Sequence, residues 1–304
     1  MASDWIHKNI LNILLETKSF IQFHALASKA KLDSKNTRLL ENAVREMYAT
    51  ADSQLIQYCT TNKYDYTSCT SVTVLIHYPS NTMLVAHLGD SHAVIGTPAR
   101  SRKDSSASRD SVSGKLEGHR LTEPHRPDHP NERKRIEAAG GSVVYLHDCN
   151  NKPFIRGGDF HQRNHAMQLN YSRAFGGKDL KMYGLSAIPD MCCVRSNFLG
   201  SDKDKEKEKG LADVKCLLLG SDGVWDVLQP EDAVNVAIKT HMQFLEKEKE
   251  KTKRTSVSGS RASTSAVAPE TNFNSAQKLA TMALAAHDKL GSNDNVTVIA
   301  VFFP

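Results

Sequence analysis

An apolar run, Cys216-Leu217-Leu218-Leu219, ends in Gly220-Ser221-Asp222-Gly223-Val224-Trp225-Asp226, and Asn293-Asp294-Asn295 stands just before the last apolar run, Val296 to Val301. A strand that stops at Ser-Asp-Gly sets a carboxylate at the end of a sheet, where glycine lets the backbone turn without a side-chain clash. The second run is rich in β-branched residues and reads as a strand with an Asp at its beginning. If the two strands are neighbours, their aspartates meet. Such carboxylates suit a hard divalent cation, which prefers oxygen ligands.

A lone Asp in Ser-Asp-Gly is ordinarily a turn residue. The following Trp225-Asp226 and the matching Asn293-Asp294-Asn295 favour metal ligation by Asp222 and Asp294 instead. Asp90, in Gly89-Asp90-Ser91, stays open between tight turn and ligand. Asp226 stays open between ligand and cap of the helix that starts near Pro230. The six cysteines, Cys59, Cys69, Cys149, Cys192, Cys193 and Cys216, contain no Cys-x-x-Cys pair, which argues for a reduced intracellular chain and against a zinc site.

The elements that must carry these residues are legible as periodicities. Ser3 or Asp4 is placed to cap a first helix with Trp5, Ile6, Ile10, Leu11, Ile13, Leu14 and Leu15 on its apolar side. A second helix runs from about Thr37 to Cys59. Strands follow at Ser71 to Ile76 and Met83 to Leu88 with a Pro79-Ser80-Asn81 turn between them, then a short strand at Ala93 to Ile95. Pro130 opens a helix that Gly140-Gly141 closes, and a strand at Ser142 to Tyr145 comes next. Helices at Glu231 to Leu245 and about Ser275 to Lys289 complete the pattern. Residues 100–118, 201–210 and 246–274 are polar and aperiodic and read as flexible insertions in one α/β domain spanning 1–304.

The 304 residues hold 39 Lys plus Arg against 34 Asp plus Glu, a net charge of +5, too mild and too dispersed to suggest nucleic-acid binding. There is no signal-peptide pattern and no apolar run of membrane-spanning length. Ala2 stands where N-myristoylation requires a glycine. The expectation is a cytoplasmic or nuclear monomer.

Taken in order, Gly89-Asp90-Ser91-His92, Leu121-Thr122 through Arg126-Pro127, Arg135 to Gly141, Ser172-Arg173-Ala174-Phe175-Gly176, Leu185 to Asp190, Ser221 to Asp226 and Asn293 to Val298 resemble the 2C class of metal-dependent serine/threonine protein phosphatases. The resemblance implies a layered α/β fold, a central sandwich of two antiparallel β-sheets flanked by α-helices. It also implies two or three Mg²⁺ or Mn²⁺ ions and a phosphoprotein substrate hydrolysed by a metal-activated water. On the matched positions Asp222 and Asp294 hold the second metal, while Asp90 and Asp226 approach a third.

The departures qualify this. The family's Asp-Gly-His-x-Gly segment, with its bridging Asp and general-acid His, is absent, as is the Arg that grips the phosphate, so no catalytic residue is assigned. The chain starts where the family's first long helix starts, and the expectation is a sequence shortened at its N-terminus, lacking the first strands, and weak or inactive by itself. Pro124, His92 and Gly177 replace the family's Asp, Arg and Asp, the last change loosening its loop. A pseudophosphatase that serves as a protein-binding scaffold is the alternative.

Overall fold

The computed structural model describes residues 1–27, 32–99, 115–159, 164–197, 212–257 and 274–303. In chain order these form α1 (Ala2–Glu16), α2 (Lys18–Ala27), α3 (Ser34–Thr61), β1 (Ser68–Cys69), β2 (Ser71–His77), β3 (Thr82–Leu88), β4 (His92–Pro98) and β5 (Leu116–Arg120). There follow α4 (Pro130–Ala138), β6 (Ser142–Leu146), β7 (Lys152–Asp159), β8 (Asn164–Leu169), β9 (Phe175–Gly176), α5 (Lys178–Lys181), β10 (Asp190–Asn197) and β11 (Ala212–Asp213). The last elements are β12 (Cys216–Gly220), α6 (Asp222–Trp225), α7 (Pro230–Val257), α8 (Ser275–Leu290) and β13 (Val298–Phe302). The architecture is α/β with antiparallel sheets.

Two compact units divide the chain: Met1–His92 with Leu121–Ser196, and Ala93–Arg120 with Asn197–Pro304. In the first, α3 carries a long buried face, Leu40, Ala43, Val44, Met47, Tyr48, Ala51 and Leu55, at the three- and four-residue spacing of an amphipathic helix. That face packs with Ile6, Ile13 and Leu14 of α1 and with Leu84, Ala86 and Leu88 of β3. Strand β3 pairs antiparallel with β2 and with β10. A separate core of Ile136, Ile155, Met167, Leu180 and Leu185 lies beneath the three-stranded β6-β7-β8 sheet. In the second unit the strand order is β13-β12-β4-β5, with Val94, Cys216, Leu218, Val234, Ala237 and Leu279 buried together.

Local chemistry explains where the elements begin. Asp33 accepts the Asn36 amide at the start of α3, and Asn274 accepts that of Gln277 at the start of α8. Helix α1 differs from expectation: Met1 is its N-cap, with no side-chain cap, and Asp4 instead pairs with Lys8 one turn on. Leu11 and Leu15 of the expected apolar side are exposed. Two of the expected insertions are partly ordered. Leu116–Arg120 forms β5, and α7 continues through the alternating Glu and Lys to Val257, because that charge pattern is compatible with a solvated helix. Residues 100–114, 201–210 and 258–273 lie outside the described residues. No helix among the described residues is long and apolar enough to cross a membrane.

Candidate metal centre

Strands β12 and β13 are antiparallel neighbours, with Gly220 opposite Val298. Asp222 follows the end of one and Asp294 precedes the start of the other, so both aspartates stand at the same end of the sheet. Further bonds fasten the two segments together. The Ser221 amide donates to Thr297 O at 3.1 Å, the Ser221 hydroxyl donates to Asn295 O at 3.0 Å, and the Thr297 amide donates back to Ser221 Oγ at 3.1 Å. Buried Trp225 donates its indole N–H to Gly220 O at 3.0 Å, which fixes the turn from within.

Gly223 is required by this closeness. A Cβ there would stand 2.5 Å from Asn295 O and 3.4 Å from the carboxyl carbon of Asp294. Each aspartate is oriented by the amide that follows it: Gly223 N–H donates to Asp222 Oδ1 at 3.0 Å, and Asn295 N–H to Asp294 Oδ1 at 2.7 Å. Asp222 is half-buried and Asp294 exposed, so both carboxylates are reachable from solvent. Asp226 lies at the end of the short helix that Asp222 begins, its amide donating to Asp222 O at 2.8 Å. It too is exposed.

Asp90 belongs to the other unit, in the turn joining β3 to β4. Gly89 has φ +85°, and a Cβ there would overlap the Thr70 side chain. Its amide donates to His125 Nδ1 at 3.0 Å, so a buried imidazole holds the turn that presents Asp90. His125 stacks on His87 with ring centroids 4.4 Å apart, and its Nε2 lies 3.2 Å from Asp190 Oδ2. Burial, followed by the charges of His87 and Arg173, pushes the His125 pKa down to about 4. His92 is buried as well, bonded through Nδ1 to Thr122 Oγ1 at 2.9 Å.

Arg173 faces into the protein. It makes bonds of 2.7 Å to Glu132, 2.6 Å to Asp190 and 2.9 Å to Ile188 O. Glu132, 3% exposed, also receives Arg135 and the Ser172 hydroxyl. Burial alone would raise the Glu132 pKa, but these donors outweigh it and hold it at about 2. Gly177 stands at the start of α5. It adopts φ +61°, which suits glycine, donates to Thr67 O at 2.7 Å and accepts from Leu180 N at 2.9 Å.

His287, a buried residue of α8 whose ring touches both aspartate segments, does not stand out in the sequence as part of this site. Its only signal there is a polar residue continuing the stripe Ser275, Leu279, Ala283 at four-residue spacing.

Asp222 and Asp294 offer the oxygen donors that a Mg²⁺ or Mn²⁺ takes, and the lack of a side chain at Gly223 lets the Asp294-Asn295 segment pass close to the Asp222 turn. Among the described residues no group of three or more His, Cys, Asp or Glu is arranged to hold a metal ion. An ion here would be held by these two carboxylates, with its remaining positions left to water, as Mg²⁺ commonly is.

Comparisons with known proteins give the family. The family model described as "Protein phosphatase 2C" matches residues 1–258. The solved serine-threonine phosphatase 2C from Toxoplasma gondii is 32% identical, with a TM-score of 0.71, over 99% of this chain and 81% of that one. "Probable protein phosphatase 2C 59" of Oryza sativa subsp. japonica is 31% identical over 194 residues, 64% of this chain and 44% of that protein. The rice "Probable protein phosphatase 2C member 13, mitochondrial" is 28% identical over 78% of this chain and 47% of its own length. The chain thus spans under half the length of these two curated relatives.

Proposed function

Because this chain belongs to the protein phosphatase 2C family, we propose that it removes phosphate from phosphoserine and phosphothreonine in proteins, with Mg²⁺ or Mn²⁺ as the ion. The observation that carries this reading is the junction of Asp222 and Asp294 at one end of the β12–β13 pair, across a position where only glycine fits. When bound, the ion supplies Lewis acidity toward the phosphate oxygens and the attacking water.

The chain's own part is placement. Asp222 and Asp294 hold the ion, and the amides of Gly223 and Asn295 set the planes of the two carboxylates. By the family resemblance, Asp226 and Asp90 are each proposed as ligands of a further, weaker ion. The bonds that the Ser221 amide and hydroxyl make with Asn295 and Thr297 keep the separation fixed while substrate comes and goes. Preorganisation of this kind lowers the reorganisation that charge development in the transition state would otherwise demand.

A second reading, a catalytically silent scaffold, is supported by Pro124, His92 and Gly177 standing where the family has Asp, Arg and Asp. One experiment separates the two. Phosphate release from a phosphothreonine peptide by the purified protein is measured with Mn²⁺, with a chelator, and with Asp222→Asn. Release that depends on Mn²⁺ and is lost in the variant supports the enzyme; release that survives chelation overturns it. No release together with no Mn²⁺ binding by calorimetry leaves the scaffold.

A further inference from the structure

The face by which α8 packs is a stripe at four-residue spacing, Ser275, Leu279, Ala283 and His287, all buried. Leu279 joins the core of the second unit, and Ala283 is fully buried. The polar residues at the ends of the stripe both bond to backbone carbonyls. Ser275 donates to Ala237 O at 2.8 Å and docks the start of α8 on α7. His287 Nε2 meets Gly223 O at 2.7 Å and docks the other end on the turn that presents Asp222. A carbonyl only accepts, so Nε2 is the donor in this bond.

The other ring nitrogen reaches the second aspartate segment. His287 Nδ1 lies 2.6 Å from the hydroxyl of Ser292, two residues before Asp294. Gly291, with φ +64°, ends the helix, and the Ser292 amide donates to His287 O at 3.1 Å. The chain is thereby folded back so that its next residues meet the Asp222 turn. An imidazole only 5% exposed on an otherwise apolar stripe is costly to bury unless its nitrogens are bonded. Its bonds here fall on the two segments whose separation matters most.

We propose that His287 is a positioning residue: its ring clamps the Asp222-Gly223 turn to the Ser292–Asp294 segment and so sets the distance between the two carboxylates. This rests on the reading of Asp222 and Asp294 as a metal-holding pair. Residues that hold metal ligands in place typically change affinity by about 10–100-fold when removed, and His287 acts at one remove from both ligands.

The test compares the purified protein with His287→Leu, His287→Gln and His287→Ala. Leucine completes the apolar stripe and keeps the packing but makes neither bond. Glutamine retains an N–H that can reach Gly223 O. Mn²⁺ affinity is measured by calorimetry, the unfolding midpoint by thermal melt, and amide hydrogen exchange on the metal-free protein over residues 221–226 and 292–297. The expected result is about tenfold weaker Mn²⁺ binding and faster exchange in both segments for His287→Leu, at a melting temperature no lower than that of His287→Ala, with partial recovery in His287→Gln. A folded His287→Leu protein with unchanged exchange in these segments overturns the clamp. If the unaltered protein binds no Mn²⁺, the metal reading fails, while the exchange measurement still decides the role of His287.

Discussion

Two turns in this molecule present an aspartate beside a glycine, and in each a buried histidine holds the glycine's backbone. In the first unit His125 accepts the Gly89 amide beside Asp90; in the second, His287 donates to Gly223 O beside Asp222. What surrounds the two imidazoles differs. His125 stacks on His87 and faces Asp190, an exposed carboxylate that joins the largely buried Glu132–Arg173 pair. His287 sits at the end of a largely apolar stripe, with exposed Asp294 beyond Ser292. The first arrangement consumes its carboxylates internally, since Glu132 is spent on two guanidiniums. The second orients Asp222 and Asp294 with backbone amides and keeps them near solvent. The Glu132 charge balance serves the fold, whereas on the proposed reading Asp222 and Asp294 are kept for an ion.

The largest expected effect breaks the first region. Glu132→Ala leaves Arg173, 14% exposed, and Arg135 without their central carboxylate, and removal of one partner from a buried ion pair costs about 3–5 kcal/mol. Urea unfolding measures this. A loss below about 1 kcal/mol would mean that the network contributes little beyond its neighbours and that the contrast between the regions is overstated.

Next in size is Asp222→Asn in the second region. Metal-dependent phosphate release is expected to fall at least about 100-fold, or about 2.7 kcal/mol of transition-state stabilisation, while the melting temperature stays near that of the unaltered protein. A variant that lost stability and activity together would make Asp222 another internal carboxylate like Glu132.

The two regions also part in their response to acid. The folded state keeps His125 neutral down to about 4, whereas the unfolded chain takes up a proton near 6.5. The unfolded state therefore binds more protons between these values, and stability, complete above pH 6.5, is lost as pH falls toward 4. Between pH 7 and pH 4.5 the loss is on the order of 2 kcal/mol. His125→Gln should flatten that part of the profile in thermal melts at a series of pH values. An unchanged slope would assign the acid sensitivity to other groups.

Much of this was legible in the sequence, for reasons that differ by residue. The strands flanking Asp222 and Asp294 announce themselves because continuous apolar or β-branched runs broken by Ser-Asp-Gly and Asn-Asp-Asn leave few alternatives. The α3 helix is equally plain from its buried face. Strands β7, β8 and β10 were missed, since Lys152–Asp159 and Asn164–Leu169 mix glycine, charge and short apolar stretches, and their pairing is decided by partners distant in sequence. The Ser3 or Asp4 cap of α1 was misplaced because a polar residue within the first turn looks the same as a cap until the backbone is known. The roles of His125 and His287 depend on which carbonyl or amide each ring meets, and no spacing rule shows that.

The smallest expected effect tests whether the second region depends on the helix that carries its clamp. Asn274 accepts the Gln277 amide at 2.8 Å and caps α8 some thirteen residues before His287. Replacing such a cap by alanine costs about 1 kcal/mol. If α8 were only a cover for the sheet, Asn274→Ala would lower the melting temperature and leave Mn²⁺ affinity unchanged. Because fraying at a helix start fades within a few turns, and Ser275 docks the adjoining residue on Ala237 O, the expected weakening of Mn²⁺ binding is less than twofold, well below that of His287→Leu. A loss as large as the histidine variant's would show that the position of the whole helix, rather than the two bonds of one ring, sets the distance between Asp222 and Asp294.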